Sequence, residues 1–282
     1  MVKIFFVLFF AVMRSLFVAR QACAKEIRVK NAEEFIAAID SDTTIVMEGN
    51  VAGPWYNIAA ASVTCAKPGP GARWINVTEG IELDIKGVND LTIRGADATL
   101  ISGSRYAAVI AFDGCVNIRL EGLMLRHAQG RDKRDGAVLA FANCSGITIE
   151  KCDLAGGSAG VVFRNVKNAV FAHSLISDCA LACAAIYNSG NIAFGDVMFT
   201  NINWNYEEDE GGPDCFTIRG SEDVTFDRCT FYEQTGIGFN VEDSRGVVVN
   251  DATFRYCRYS NVSAPNGAVE LVHPYWIEEK GA

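Results

Sequence analysis

Two polar stretches carry many of the side chains able to do chemistry: HAQGRDKRDG at 127–136 and NINWNYEEDEGGPDC at 201–215. The first offers His127 and Lys133 as proton carriers and Arg134 as a two-pronged partner for a carboxylate. The second offers Glu207, Glu208, Asp209, Glu210 and Asp214, oxygen ligands of the kind Ca2+ prefers, and Trp204, whose face can stack on a sugar ring. Arg164, Tyr187, Arg219 and Asn240 stand between and after these stretches. Together they suit β-elimination on an acidic polysaccharide. A base removes the proton next to a uronic carboxylate, a cation neutralises that carboxylate, and an acid helps the leaving oxygen. Lys133, Tyr187, Arg219 and His127 are the candidate base and acid set. Arg164, Trp204, Arg134 and Asn240 are the candidate substrate contacts, and Glu207, Glu208, Asp209 and Asp214 the candidate Ca2+ ligands.

These residues need a scaffold, and a repeated phrase describes one. NIRLEGLML, GITIEKCDL, NAVFAHSLI, NIAFGDVMF, DVTFDRCTF and GVVVNDATF follow a more degenerate copy, VNDLTIRGADATL, at spacings of 22 to 32 residues. Apolar residues fall two apart, as in Ile118/Leu120 and Val224/Phe226, and again after a corner, as in Leu125 and Phe231. Period two is the signature of a strand. A third strand precedes each phrase, with inward pairs such as Leu139/Phe141 and Phe216/Ile218. The column Gly114, Asn143, Asn165, Asn188, Gly220, Asp243 follows it, and these residue types tolerate the left-handed angles of a sharp corner.

Three short strands per coil, stacked in parallel about 4.8 Å apart, make an all-β solenoid, a single-stranded parallel β-helix of about seven coils. No helical stretch fits between strands, which excludes alternating βα units. Residues 1–24 read as a signal peptide, with Lys3, an apolar run and Ala22-Cys23-Ala24 as the cleavage site. Residues 25–75 read as an N-terminal cap and first coil, in which Asn31 caps a helix over Ala32–Ile39. The parallel β-helix spans 76–262. The C-terminal tail, 263–282, covers the last coil through Val269, Leu271, Tyr275 and Trp276. The two polar stretches both enter between the second and third strands. The outward column Asp113, Ala142, Arg164, Tyr187, Arg219, Glu242 runs beside a flat floor of Ala111, Ala140, Val162, Ala185, Thr217 and Asn240.

This pattern resembles the right-handed parallel β-helix proteins of the pectate-lyase-like superfamily over about residues 76–260. The resemblance implies right-handed coiling. It also implies one of several functions, because that superfamily holds lyases, hydrolases, epimerases and non-catalytic binders. No GxxDFxxG, no NTD…DD…GHG…RxK series and no DPH signature occurs.

Composition sets the outer limits. The chain has 282 residues and a formal net charge of −9, against a nucleic-acid partner. Arg14 interrupts the N-terminal apolar run, against a membrane span. Secretion, periplasmic or extracellular, permits disulfides. Cys115 and Cys144 share a column on adjacent coils, where a disulfide and a ladder of buried thiols both fit. Each candidate also has an ordinary reading. Arg164, Arg219 and Tyr187 serve equally as surface residues, RDKRD as a solvated loop tip, EEDEGGPD as an acidic loop without metal, and His127 as a turn residue. Three functions remain: a secreted polysaccharide lyase, a non-catalytic carbohydrate-binding module, and an assembly protein packing by a flat face. Convergence of Lys133, Tyr187 and Arg219 on one reacting carbon favours the first, and a ladder along the rod favours the second.

Overall fold

The computed structural model describes residues 24–48, 56–65, 67–95, 98–128, 136–201, 214–232, 238–257 and 269–277. Three sheets form the walls of a β-helix. Among the described residues sheet 1 has ten strands, sheet 2 nine and sheet 3 eight. Among those residues every strand pairing is parallel except one hairpin in sheet 3, Ala72–Val77 with Gly80–Lys86.

The columns read from the sequence are the registers of the sheets. In sheet 1, Ile118, Ile147, Ala169, Ile192, Val224 and Val247 are successive partners, as are Leu120, Ile149, Phe171, Phe194, Phe226 and Val249. In sheet 2, Leu125, Leu154, Ile176, Phe199, Phe231 and Phe254 align. These inward side chains are buried in one continuous core. Aromatic columns stack face to face, with ring centroids 4.8 Å apart for Phe194–Phe226 and 4.7 Å for Phe231–Phe254. The rise of a parallel sheet brings equivalent rings to that separation, so one aromatic position repeated along the rod stacks on itself.

The corners turn on left-handed residues. Gly114, Asn143, Asn165, Asn188, Gly220 and Asp243 have φ between 48° and 66°. A second row opens the sheet-1 strands (Asn117, Gly146, Asn168, Asn191, Asp223, Gly246), and a third leaves them (Gly122, Lys151, His173, Asp196, Arg228, Asp251, His273). His173 and His273 are thus corner residues, each beside an aspartate, Asp196 at 3.6 Å and Asp251 at 3.3 Å.

Serine and cysteine share one task just past the corners. Ser189 Oγ donates to the Tyr187 carbonyl and accepts from the Val166 N–H of the preceding coil at 3.0 Å. Ser221 and Ser244 repeat the motif, and Cys144 fills the same position, its thiol 3.1 Å from the Ala142 carbonyl. Cys152, Cys179 and Cys229 likewise point their thiols at the carbonyl two residues back. Of the two readings open for Cys115 and Cys144, the structure shows the thiol ladder: both are free and buried. Burial pushes the Cys152 thiol up to about 11 and that of Cys229 to about 12.

At the N-terminal end, Asn31 accepts from the Glu34 N–H at 2.8 Å and opens α1, Ala32–Ala37. The helix ends two residues before the expected Ile39. Phe35 and Ile36 face the core. A second helix, α2 (Ile58–Thr64), is capped by Asn57. The hairpin Ala72–Lys86 crosses the boundary drawn at residues 75 and 76, which the pattern of parallel phrases does not reveal.

At the other end the coils run beyond residue 262. Val269–Val272 is the last strand of sheet 1, and Tyr275–Ile277 the last of sheet 2. Val269 and Leu271 pack on the core, and Trp276 stacks on Phe254 at 4.2 Å with its other side exposed, as Tyr275 is more fully. Val269, Leu271, Pro274 and Trp276 occupy the four apolar columns, so this segment is a further copy of the phrase.

Candidate functional site

The outward face of sheet 3 holds the described candidates other than His127. Its rim column is in register from coil to coil: Lys86, Asp113, Ala142, Arg164, Tyr187, Arg219, Glu242. The floor beside it is Asp84, Ala111, Ala140, Val162, Ala185, Thr217, Asn240. Alternation along each strand puts both columns outside while the Phe and Ile between them point inward.

Rim neighbours engage each other in pairs. Lys86 Nζ lies 2.9 Å from Asp113, which also accepts from Asn143 Nδ2 at 3.0 Å. The Asn143 hydrogen bond and the Lys86 ammonium hold the Asp113 carboxyl below the ordinary carboxylate range. The Arg164 guanidinium lies over the Tyr187 ring, 4.5 Å from its centroid. Arg219 pairs with Glu242 at 3.0 Å, and both side chains are about half exposed.

Asp214 stands where the second polar stretch returns to the sheet. Its carboxylate accepts from Asn240 Nδ2 at 2.5 Å. Burial raises its pKa, against the pull of Asn240 and Arg219. The structure thereby brings Asp214, Asn240 and Arg219 together, with Tyr187 one coil from Arg219. It does not bring His127 to them. His127 ends a sheet-2 strand, is 5% exposed, and sets Nε2 2.9 Å from the Ala107 carbonyl, an architectural position in the rod wall.

Lys133, Arg134, Trp204, Glu207, Glu208, Asp209 and Glu210 lie outside the described residues, as does the signal segment through Cys23. Among the described residues no three His, Cys, Asp or Glu gather as a metal site, and no helix is long and apolar enough to cross a membrane.

One concave feature escaped the sequence reading. At the corner between sheets 3 and 1 a polar trough of about 650 Å³ runs across successive coils, lined among others by Asn168, Asn188, Asn191, Gly220, Asp223 and Asp243. Its signal was present in the aligned phrases: two columns of Asn, Asp and Gly flank each short corner, and polar left-handed residues on both sides leave a furrow between them.

Register, inward columns and left-handed corners together define a parallel β-helix bearing an outward ladder. The family model for a right handed beta helix region matches residues 108–273, more than half of the 282-residue chain, and the chain belongs to that family. The expected right-handedness is therefore that of the family. Among solved structures, the chain is similar to a pectate lyase from Paenibacillus sp. 0602, at 10% identity over 93% of this chain and 80% of that one, with a TM-score of 0.49. It is also similar to the surface protein and adhesin PfbA of Streptococcus pneumoniae, at 9% identity over 89% and 79%, TM-score 0.43. An alginate lyase from Paenibacillus sp. str. FPU-7 gives 11% identity over 89% and 99%, TM-score 0.39. These likenesses concern the fold alone. No curated protein matches the chain.

Proposed function

We propose that this is a secreted carbohydrate-recognition β-helix that binds an acidic, uronate-containing polysaccharide along the outward face of sheet 3. The supporting observation is the in-register run Arg164, Tyr187, Arg219 on three consecutive coils beside a floor of small residues. The rungs follow the rod axis at coil spacing instead of closing on one point. A polymer lying along the axis meets one rung per coil. Arg164 is already oriented by Tyr187, and the exposed Arg219–Glu242 pair exchanges for a uronic carboxylate at little cost.

β-Elimination is the second reading, favoured by one cluster. Tyr187 and Arg219 are register partners, and Asp214 sits beside Arg219 with a raised pKa, an arrangement typical of acid–base sites. Lys133 would supply the base, and Glu207, Glu208 and Asp209 with Asp214 a Ca2+ site.

Polygalacturonate and alginate, with and without calcium, are the test ligands. Binding is followed by calorimetry, and elimination by absorbance of unsaturated products. Recognition predicts binding that weakens about tenfold in Arg219→Ala, roughly 1.4 kcal/mol, with no new absorbance. Absorbance that rises with wild type and disappears in Tyr187→Phe would establish the lyase instead. Undiminished binding in both Arg164→Ala and Arg219→Ala would remove the ladder from the site.

A further inference from the structure

The trough between sheets 3 and 1 differs in chemistry from the ladder beside it. Its walls are two rows of left-handed residues: Asn188, Gly220 and Asp243 on one side, Asn168, Asn191 and Asp223 on the other. Two of the amides are tied to each other across adjacent coils. Asn191 Nδ2 donates to Asn168 Oδ1 at 3.1 Å, and Asn188 Oδ1 lies over Gly220, 2.6 Å from where a Cβ would stand. Behind them Ser189, Ser221 and Ser244 are tied into the corner ladder. The floor has room for a small side chain at Gly190, where an added Cβ would stand 3.3 Å from Cγ of the flexible Glu222 side chain and 3.6 Å from the Glu222 carbonyl oxygen.

The charges on this lining come in both signs. Lys167 and Arg245 stand against Glu222, Asp223 and Asp243, and Arg245 is paired with Glu222. A polyanion entering here would face two carboxylates, Asp223 and Asp243, with Lys167 as the cation not paired in this way. A neutral polyol would find donors and acceptors fixed at coil spacing, about 4.8 Å. Asn supplies both kinds of group, Asp accepts from vicinal hydroxyls, and prior fixation lowers the ordering cost of binding. An extended β-1,4-linked hexose chain advances by nearly one coil spacing per ring, so consecutive sugars meet equivalent rungs.

We propose that the trough bounded by Asn188–Asn191 and Gly220–Asp223 is a second glycan site, taking an uncharged β-1,4-linked hexose chain parallel to the rod axis. The site is independent of the ladder, and its failure is separable from failure of the ladder.

Hexamers of β-1,4-linked glucose and of β-1,4-linked mannose are titrated into the full chain, wild type and variants, with circular dichroism confirming the fold of each. At least one hexamer binds wild type. Gly190→Phe, which fills the floor, weakens that binding more than tenfold, whereas Gly190→Ala changes it less than twofold. Arg219→Ala leaves it unchanged, and Gly190→Phe leaves uronate binding unchanged. Absence of binding by both hexamers overturns the proposal. So does hexamer binding that survives Gly190→Phe and is lost in Arg219→Ala, since both glycans would then share the ladder.

Discussion

At the scale of the residue, the structure assigns hydrogen-bonding work to side chains whose type alone suggests other uses. Ser189 accepts from a buried backbone N–H and returns its own hydrogen to a carbonyl. Removing the hydroxyl strands the Val166 N–H, which costs about 1–3 kcal/mol. Ser189→Ala is therefore expected to lower the denaturant midpoint clearly. Ser189→Cys is expected to lower it less, since Cys144 performs the same task in the same column. This equivalence was not legible beforehand. A column mixing Cys, Val and Ser looks like relaxed selection until the coil-to-coil bond is seen. His127 was opaque for the related reason that its partner, the Ala107 carbonyl, lies twenty residues away in a loop. Arg164, Tyr187 and Arg219 were legible, because period two alone puts them outside and in line.

The element that governs this chain is the corner rather than the strand. Strands were readable from inward pairs two apart, and the left-handed column at Gly114, Asn143, Asn165, Asn188, Gly220 and Asp243 was readable from residue type. Its vertical logic was not. Asn165 donates to Asn143 Oδ1 at 3.1 Å, so asparagine stacks on asparagine. Where glycine follows asparagine, the lower amide oxygen covers the glycine, as Asn188 Oδ1 covers Gly220. Gly220→Ala is thus expected to destabilise by more than about 1 kcal/mol, through a left-handed φ of 58° and a Cβ 2.6 Å from that oxygen. Gly220→Asn is expected to be milder than Gly220→Ala, because the new amide can donate to the oxygen below. Thermal melts of the two variants order them. The last copy of the phrase, Val269 to Trp276, is not legible from residue types, because Pro274 followed by Tyr275 and Trp276 disguises the corner.

At the scale of the molecule, carboxylates spread along the rod couple stability to pH in opposite senses. The Arg228 guanidinium and the nearby His173 hold Asp196 below its ordinary range, while Asn143 and Lys86 do so for Asp113. A carboxyl depressed in the folded state stabilises above its unfolded value, about 3.9, and that contribution is lost as pH falls through the folded value. Burial raises Glu82 and Asp214, so the folded chain binds those protons more tightly and gains stability as they protonate. Asp196→Asn keeps a residue that tolerates left-handed angles. It is expected to lower the urea midpoint at pH 7 and to narrow the gap between pH 7 and pH 3. An unchanged gap would show that Asp196 takes no part in acid unfolding.

The thiols spread along the rod have a consequence beyond packing. Cys115, Cys144, Cys152, Cys179, Cys183, Cys215 and Cys229 are buried along the rod, some sharing a turn, while Cys257, near the C-terminal end, is partly open. A thiol enclosed in this way meets an alkylating reagent only when its own turn unwinds. The sulfur atoms are therefore a set of clocks built into the chain, and the order in which they become reactive would record whether the rod frays from its ends or melts as one body.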